Sequence, residues 1–209
     1  MNPPPDGIVA VLLAGGLARR MGGGDKCLVP LAGRPMLAHV IERIAPQVER
    51  VLINANGDPA RFSGFGLPVA ADTVEGFAGP LAGVLAGLEW TVRNVPEATH
   101  MVSIATDTPF FPTDLVTRLV AGVQAGGMPL AVASSAGRTH PVFGLWPVSL
   151  LDNLTEAVTV EGLRKVDIWT ARHGVAQVEF DTRAGDPFFN LNRPEDIAEA
   201  EIRLQGERM

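Results

Sequence analysis

The sequence predicts an α/β fold: a single domain with one mainly parallel sheet, helices on both of its faces and at least one antiparallel strand. Two observations predict this. Short apolar runs alternate with segments of helical period along the first half of the chain, the pattern that builds a parallel sheet covered on both faces. No repeat, low-complexity tract or linker divides the 209 residues, a length at which one core buries roughly 70% of the unfolded surface.

The elements follow in order. Ile8–Leu13 reads as a buried first strand, and Leu37, Val40, Ile41 and Ile44 repeat at i, i+3, i+4, i+7 as a helix face. Strands are expected at Arg50–Asn54, 68–71 and His100–Ala105, with helices on Leu81, Val84, Leu85, Leu88 and on Val116, Leu119, Val120, Val123. The second half is less regular: strands at 130–133, 141–146 and 175–181, helices at 148–157 and 161–172, and a closing helix at 194–204 with Pro194 near its first turn. The 133–142 connection is too short for a crossover helix, so an antiparallel strand belongs there. In such Rossmann-like sheets ligands sit beyond the carboxyl ends of the strands.

Residues 13–35, LAGGLARRMGGGDKCLVPLAGRP, follow the first strand directly and hold six glycines and four cationic side chains, Arg19, Arg20, Lys26 and Arg34. Glycines let backbone N–H groups approach a ligand closely, which is how loops cradle phosphate, and Arg20 and Lys26 add full positive charge. A mobile glycine-rich surface loop is the competing reading. Two familiar phosphate loops are excluded: Lys26 lies between Asp25 and Cys27, which breaks G-x-x-x-x-G-K-[ST], and Cys27 stands where G-x-G-x-x-G from Gly22 needs glycine.

The net charge of -6 and pI near 5.2 argue against a nucleic-acid or anionic-membrane partner. Cations gathered on an acidic chain point instead to a focused anion site. With one cysteine, Cys27, neither an intramolecular disulfide nor a multi-cysteine metal site can form, and a filler role is expected. The opening MNPPPDG lacks the basic and apolar regions of a signal peptide, and no apolar stretch of membrane length follows, so a cytoplasmic location is expected.

Asp72 and Asp107 each follow an expected strand, at the ligand edge of the sheet. A carboxylate beside an anion site is consistent with an intervening divalent cation such as Mg²⁺; for Asp107, in TDTP, a helix cap or turn carboxylate is the alternative. Asn54 could be a strand-end turn residue, and 79–83 (GPLAG) a tight helix start. Asn190 and Asn192 would share one face if Leu191 between them lies on a strand, or they could form a turn into the last helix. His140 beside Pro141 reads as structural, and His39, His100 and His173 show no ligand spacing. Trp90, Trp146 and Trp169 read as packing residues.

Leu13-Ala14-Gly15-Gly16, a short spacer, Arg20-Met21-Gly22 and then Lys26 resemble the signature loop of the nucleotidyltransferases that make nucleotide-activated sugars, alcohols and cofactors. Among these the chain is similar to the molybdenum cofactor guanylyltransferases, because Gly15 stands where cytidylyltransferase relatives usually carry Ala. The likeness continues through VLINAN at 51–56, Asp72, GPLAG at 79–83, Asp107-Thr108-Pro109, His140-Pro141-Val142 and NLNRPED at 190–196, in order and across nearly the whole chain. The resemblance implies a nucleotide-diphospho-sugar transferase-like fold and transfer of GMP from GTP to the terminal phosphate of molybdenum-molybdopterin, with pyrophosphate released. It implies Arg20 and Lys26 on phosphates, Asp107 on Mg²⁺, the backbone of Leu13, Ala14 and Gly15 at the base, and Asn54 and Asp72 on the nucleotide. Asn190 and Asn192 would serve the pterin, so that the N-terminal half binds GTP and the C-terminal half the acceptor. Molybdoenzyme apoproteins or their chaperones are the implied recipients. A pterin cytidylyltransferase, a sugar-phosphate nucleotidyltransferase and a non-catalytic GTP-binding delivery protein are the alternatives.

Overall fold

The computed structural model describes residues 5, 7–15, 23–74, 76 and 79–207. The first strand, β1 (Ile8–Leu13), is apolar throughout because it lies inside the sheet, between two other strands, with layers on both faces. Beyond it come the short hairpin β2 (Pro30–Leu31) and β3 (Arg34–Pro35), α1 (Met36–Ile44), β4 (Arg50–Asn54), β5 (Val69–Ala70), α2 (Pro80–Asn94), β6 (His100–Ala105) and α3 (Leu115–Gly126). The second half adds β7 (Leu130–Ser135), β8 (Arg138–Pro147), α4 (Leu151–Thr159), α5 (Val166–Thr170), β9 (Val175–Phe180) and α6 (Pro194–Glu207).

Seven strands form the main sheet in the order β5-β4-β1-β6-β8-β7-β9. The expected antiparallel strand is β8, which pairs antiparallel with both β6 and β7, while the remaining pairs are parallel. Alternate residues of β1 face opposite layers, as strand geometry requires. Ala10 and Leu12 pack with Leu37, Val40, Leu115 and Leu119 of α1 and α3, and Val11 packs with Leu81, Leu85 and Leu88 of α2 on the other side. The second layer continues through Leu154 of α4 to Trp146 and Trp169, whose rings stack 5.7 Å apart in the core. Trp90 is half-buried.

Two features of this packing shape the cleft. A Cβ on Gly83 would stand 2.4 Å from Asn54 Oδ1, and one on Gly87 would stand 2.7 Å from Val11 Cγ2, so the glycines are what let α2 lie close against β1 and β4. The β7–β8 hairpin turns through Ala136 and Gly137, both at positive φ, and its ladder then slips: Val132 pairs with Gly144, but the next residue, Ala133, pairs with His140. Pro141 has no N–H to give to a ladder, so residues 141–143 bulge out. Ser103 Oγ donates to the bulge carbonyl of Val142 (2.5 Å) while accepting from Trp146 Nε1 (2.8 Å). The β6–β8 register ends at Val102–Leu145, so the two strands part toward the carboxyl end of β6.

Four expectations are corrected. Within 161–172 only Val166–Thr170 is α-helical; Gly162 turns at φ +67 and Leu163 N–H returns to the Ala157 carbonyl, which ends α4 instead of starting a helix. Residues 148–150 form a 3₁₀ turn ahead of α4. The closing helix continues past 204 to Glu207. Residues 190–192 are not a strand: Leu191 makes a single backbone bond, to the Asp107 carbonyl, and the chain turns directly into α6.

Candidate active site

Leu13, Asn54 and Ala105 lie level in the registers of β1, β4 and β6, and residues at and beyond this common edge line a cleft of about 1180 Å³. Its volume exceeds the roughly 300–1,000 Å³ typical of single-ligand pockets, which leaves room for two substrates.

At one end stand Leu13, Gly15, Asn54, Asp72, Gly79 and Gly83. Asp72 is held by amides: Asn54 Nδ2 donates to Oδ1 (3.0 Å), Asn56 Nδ2 to Oδ2 (2.8 Å), and the Asp72 N–H donates to Asn56 Oδ1 (2.8 Å). No cation is among these partners, so the carboxylate is an oriented acceptor for N–H or O–H groups of a ligand. Ala14 is fully buried with its N–H on the Asn54 carbonyl (2.8 Å), so of the three loop residues expected at the base, Leu13 and Gly15 line the cleft and Ala14 lies behind its wall.

At the middle, Lys26 and Asp107 meet. Lys26 Nζ donates to Asp107 Oδ2 and to Asn192 Oδ1, both at 2.5 Å. Lys26 opens a 3₁₀ turn whose next residue, Cys27, is buried, and burial pushes that thiol up to about 12, which suits a filler and not a nucleophile. The preceding Asp25 pairs with Arg61, Oδ2 to Nε 2.6 Å, so the exit of the glycine-rich loop is tied to the segment after β4. Thr108 Oγ1 lies 3.1 Å from Asp107 Oδ1 and 2.5 Å from Asn190 Oδ1. One hydroxyl proton cannot serve two acceptors; with the Asn190 amide turned so that its NH₂ donates to Thr108, Thr108 donates to Asp107 and all three are satisfied.

The far end is formed by Arg138, Thr139, His140 and the bulge, with Asn190. His140 lines the cleft, and the groups that hold the site's side chains were not singled out in the sequence: Asn56 on Asp72, Thr108 on Asp107, Arg61 on Asp25, and Ser135 between His140 and Asp186. Asn56 and Thr108 lie inside the quoted VLINAN and TDTP motifs, so a signal existed for them. Ser135 and Asp186 carry none, because only folding brings them together. His39 is structural, Nε2 to the Leu31 carbonyl at 2.9 Å. Arg20, together with Arg19, lies outside the described residues.

A divalent metal fits Asp107 on the chemistry of its surroundings. Magnesium is commonly held by one or two carboxylates completed by substrate phosphates and water. Asp107 is a partly exposed carboxylate at the cleft with the neutral amide oxygen of Asn192 close by on the same Lys26 ammonium; Lys26 now occupies Oδ2 and would move to a substrate phosphate for an ion to bind there. Among the described residues no cluster of three acidic, histidine or cysteine side chains offers a closed metal cage, so any ion here would depend on substrate for part of its coordination.

A glycine-rich loop after the first strand, a cleft at the carboxyl edge of a mainly parallel sheet and an antiparallel strand beside it define a nucleotidyltransferase domain, and residues 10–175 match the family model described as the MobA-like NTP transferase domain. A molybdenum cofactor guanylyltransferase from Bradyrhizobium is 57% identical over 194 residues, 93% of this chain and 92% of the relative. The chain belongs to the molybdenum cofactor guanylyltransferase family. The fold is also that of molybdopterin-guanine dinucleotide biosynthesis protein A from Archaeoglobus fulgidus (TM-score 0.73, 24% identity, covering 97% of this chain and all of the other). A Mycobacterium tuberculosis protein crystallised with manganese shares it too (TM-score 0.66, 18% identity, covering 93% and 98%).

Proposed function

We propose that the enzyme transfers GMP from GTP to the terminal phosphate of a molybdenum-bound pterin, with the nucleotide at the Asn54–Asp72 end of the cleft and the acceptor at the hairpin end. The observation that carries this is the meeting of Lys26, Asp107 and Asn192, from three distant stretches of chain, midway between two chemically different ends of one cleft. A phosphate oxygen of the acceptor attacks the α-phosphorus of GTP, the bond to the β-phosphate oxygen breaks, and pyrophosphate leaves. The attacking oxygen is already anionic, so no general base is required. The residues must align two phosphates and offset their charge, which is where such catalysis originates.

Lys26 supplies a fixed positive charge beside the phosphates, and Arg20 is assigned the same task. Asp107 would hold Mg²⁺, which when bound polarises the phosphoryl oxygens and offsets developing charge. Asp72, with both oxygens directed by Asn54 and Asn56, is matched to ligand donors at the nucleoside. Among the described residues nothing lies within 4 Å of where a Cβ on Gly15 would project, which leaves room for a purine against the loop backbone. Asn190 and Asn192 reach the reacting centre from the acceptor side. The test is purified protein with Mg²⁺, molybdopterin and equal GTP and CTP, read as dinucleotide products and pyrophosphate. Guanine dinucleotide is expected in excess; an excess of the cytosine product, or pyrophosphate without any dinucleotide, overturns the proposal.

A further inference from the structure

At the hairpin end of the cleft stands an imidazole whose orientation and proton are both set by the fold. Asp186 Oδ1 accepts from Ser135 Oγ (3.0 Å) and from the Phe188 N–H (2.9 Å). Ser135 has one proton, and a carboxylate can only accept, so that proton goes to Asp186. The remaining Ser135 contact, 2.7 Å to His140 Nε2, then requires Nε2 to carry the hydrogen. The neutral ring presents a lone pair at Nδ1, which has no hydrogen-bond partner among the described residues. Phe188 fixes the plane of the ring, stacked 4.4 Å away, and is itself buried against Phe143 and Phe180.

We propose that His140 reads the acceptor: Nδ1 accepts a hydrogen bond from an N–H on the edge of its fused heterocycle, and Ser135 and Asp186 hold the imidazole in the tautomer that can do so. This rests on the reading that the hairpin end of the cleft holds the pterin. A lone-pair nitrogen repels a phosphate oxygen and attracts an amide or amino N–H, so this position recognises the ring system and leaves the phosphate to Lys26. The segment from Asp186 to Asn192 links the two tasks, touching Ser135 at its start, His140 through Phe188, and Thr108 and Lys26 through its asparagines. Burial holds His140 below the usual histidine range; Arg138 adds to this, and Asp186 and Glu179 oppose it. The ring is therefore neutral at pH 7, and protonation at lower pH would convert the acceptor at Nδ1 into a donor.

The experiment uses the full chain with Mg²⁺, GTP and metal-free molybdopterin as acceptor. H140F keeps the stack on Phe188 and removes both nitrogens; the KM for molybdopterin should rise roughly tenfold, the size of one lost hydrogen bond, with GTP affinity and kcat unchanged. H140Q, whose amide can donate to Ser135 and accept from the ligand, should return the KM to within about threefold of wild type. Wild-type KM for molybdopterin should climb as pH falls through the lowered folded titration of His140, and that of H140Q should not; this comparison stands even if H140F fails to fold. A wild-type KM in folded H140F, an equal loss of GTP affinity, or the same pH profile in H140Q overturns the inference. A wild-type enzyme that makes no guanine dinucleotide overturns instead the reading beneath it.

Discussion

Asp107 and Lys26 are in contact, yet removing each should have a different consequence. Asp107→Ala deletes the only carboxylate touching Lys26 among the described residues, at a partly exposed position whose loss leaves no cavity in the core. Turnover should fall by at least about a hundredfold, the scale of a lost charge-stabilising group, with the melting temperature nearly unchanged; pyrophosphate release and thermal unfolding measured on the same preparation check this. Near-normal turnover in the folded variant would remove Asp107 from the mechanism. Lys26→Ala should weaken GTP binding and slow transfer together, because a fixed cation acts on phosphates in both the ground and the transition state. Calorimetry with GTP and Mg²⁺, paired with steady-state rates, separates the two effects; an unchanged pair of values would confine Lys26 to a structural link between Asp107 and Asn192.

The helix α2 and the bulge in β8 give the cleft its shape at the scale of elements. Gly83 faces Asn54 and Leu13 so closely that a methyl group must displace both. Gly83→Ala should therefore cost about 1–3 kcal/mol by overpacking and should also loosen GTP, since Asn54 orients Asp72. Gly15→Ala meets no described residue within 4 Å and should cost less stability than Gly83→Ala while narrowing the preference for GTP over CTP. Urea unfolding and nucleotide competition on the two variants make the comparison, and equal stability losses would contradict the packing account. Sequence periodicity found the register of α2 correctly, with Leu81, Val84, Leu85 and Leu88 all in the core. It offered no sign that Gly83 and Gly87 serve the close contacts of α2 with β4, β1 and β6 as well as any ligand.

Across the whole molecule, burial shifts titrations at both ends of the pH scale. His100, His140 and His173 are all held below their ordinary value of 6.5 by desolvation, so the unfolded chain takes up their protons first as pH falls. The stability they contribute is full above 6.5 and is lost as pH drops through their folded values. Cys27 behaves oppositely: its thiol is raised from 9.0 to about 12, so its contribution is full below 9.0 and is lost as pH rises toward 12. Thermal melts from pH 5 to 10.5 should show a plateau between these limits, and Cys27→Ser should flatten the alkaline decline without altering the acid one. An unchanged alkaline limb would mean that Cys27 is not the group responsible.

The order of strands and helices was legible in the sequence because it follows from local pattern. Apolar runs such as Ile8–Leu13, the 3.6-residue repeats of α1 to α3, and Pro194 at the start of α6 each express a preference carried by neighbouring residues. Lys26, Asp72 and Asp107 were legible as residues of the sheet's ligand edge, since carboxylates and cations placed just after strands point there, and all three line the cleft; residues 16–22 of the glycine-rich stretch lie outside the described residues. What only the tertiary structure decided are the contacts between residues far apart in the chain. Asn192 reaches Lys26 across 166 positions and Ser135 reaches Asp186 across 51. The slipped β8 ladder turns His140 from an apparent strand-end residue into part of the cleft wall. Sequence spacing records nothing about such pairs, because their separation in space is set by the packing of the whole sheet and not by the geometry of any one element.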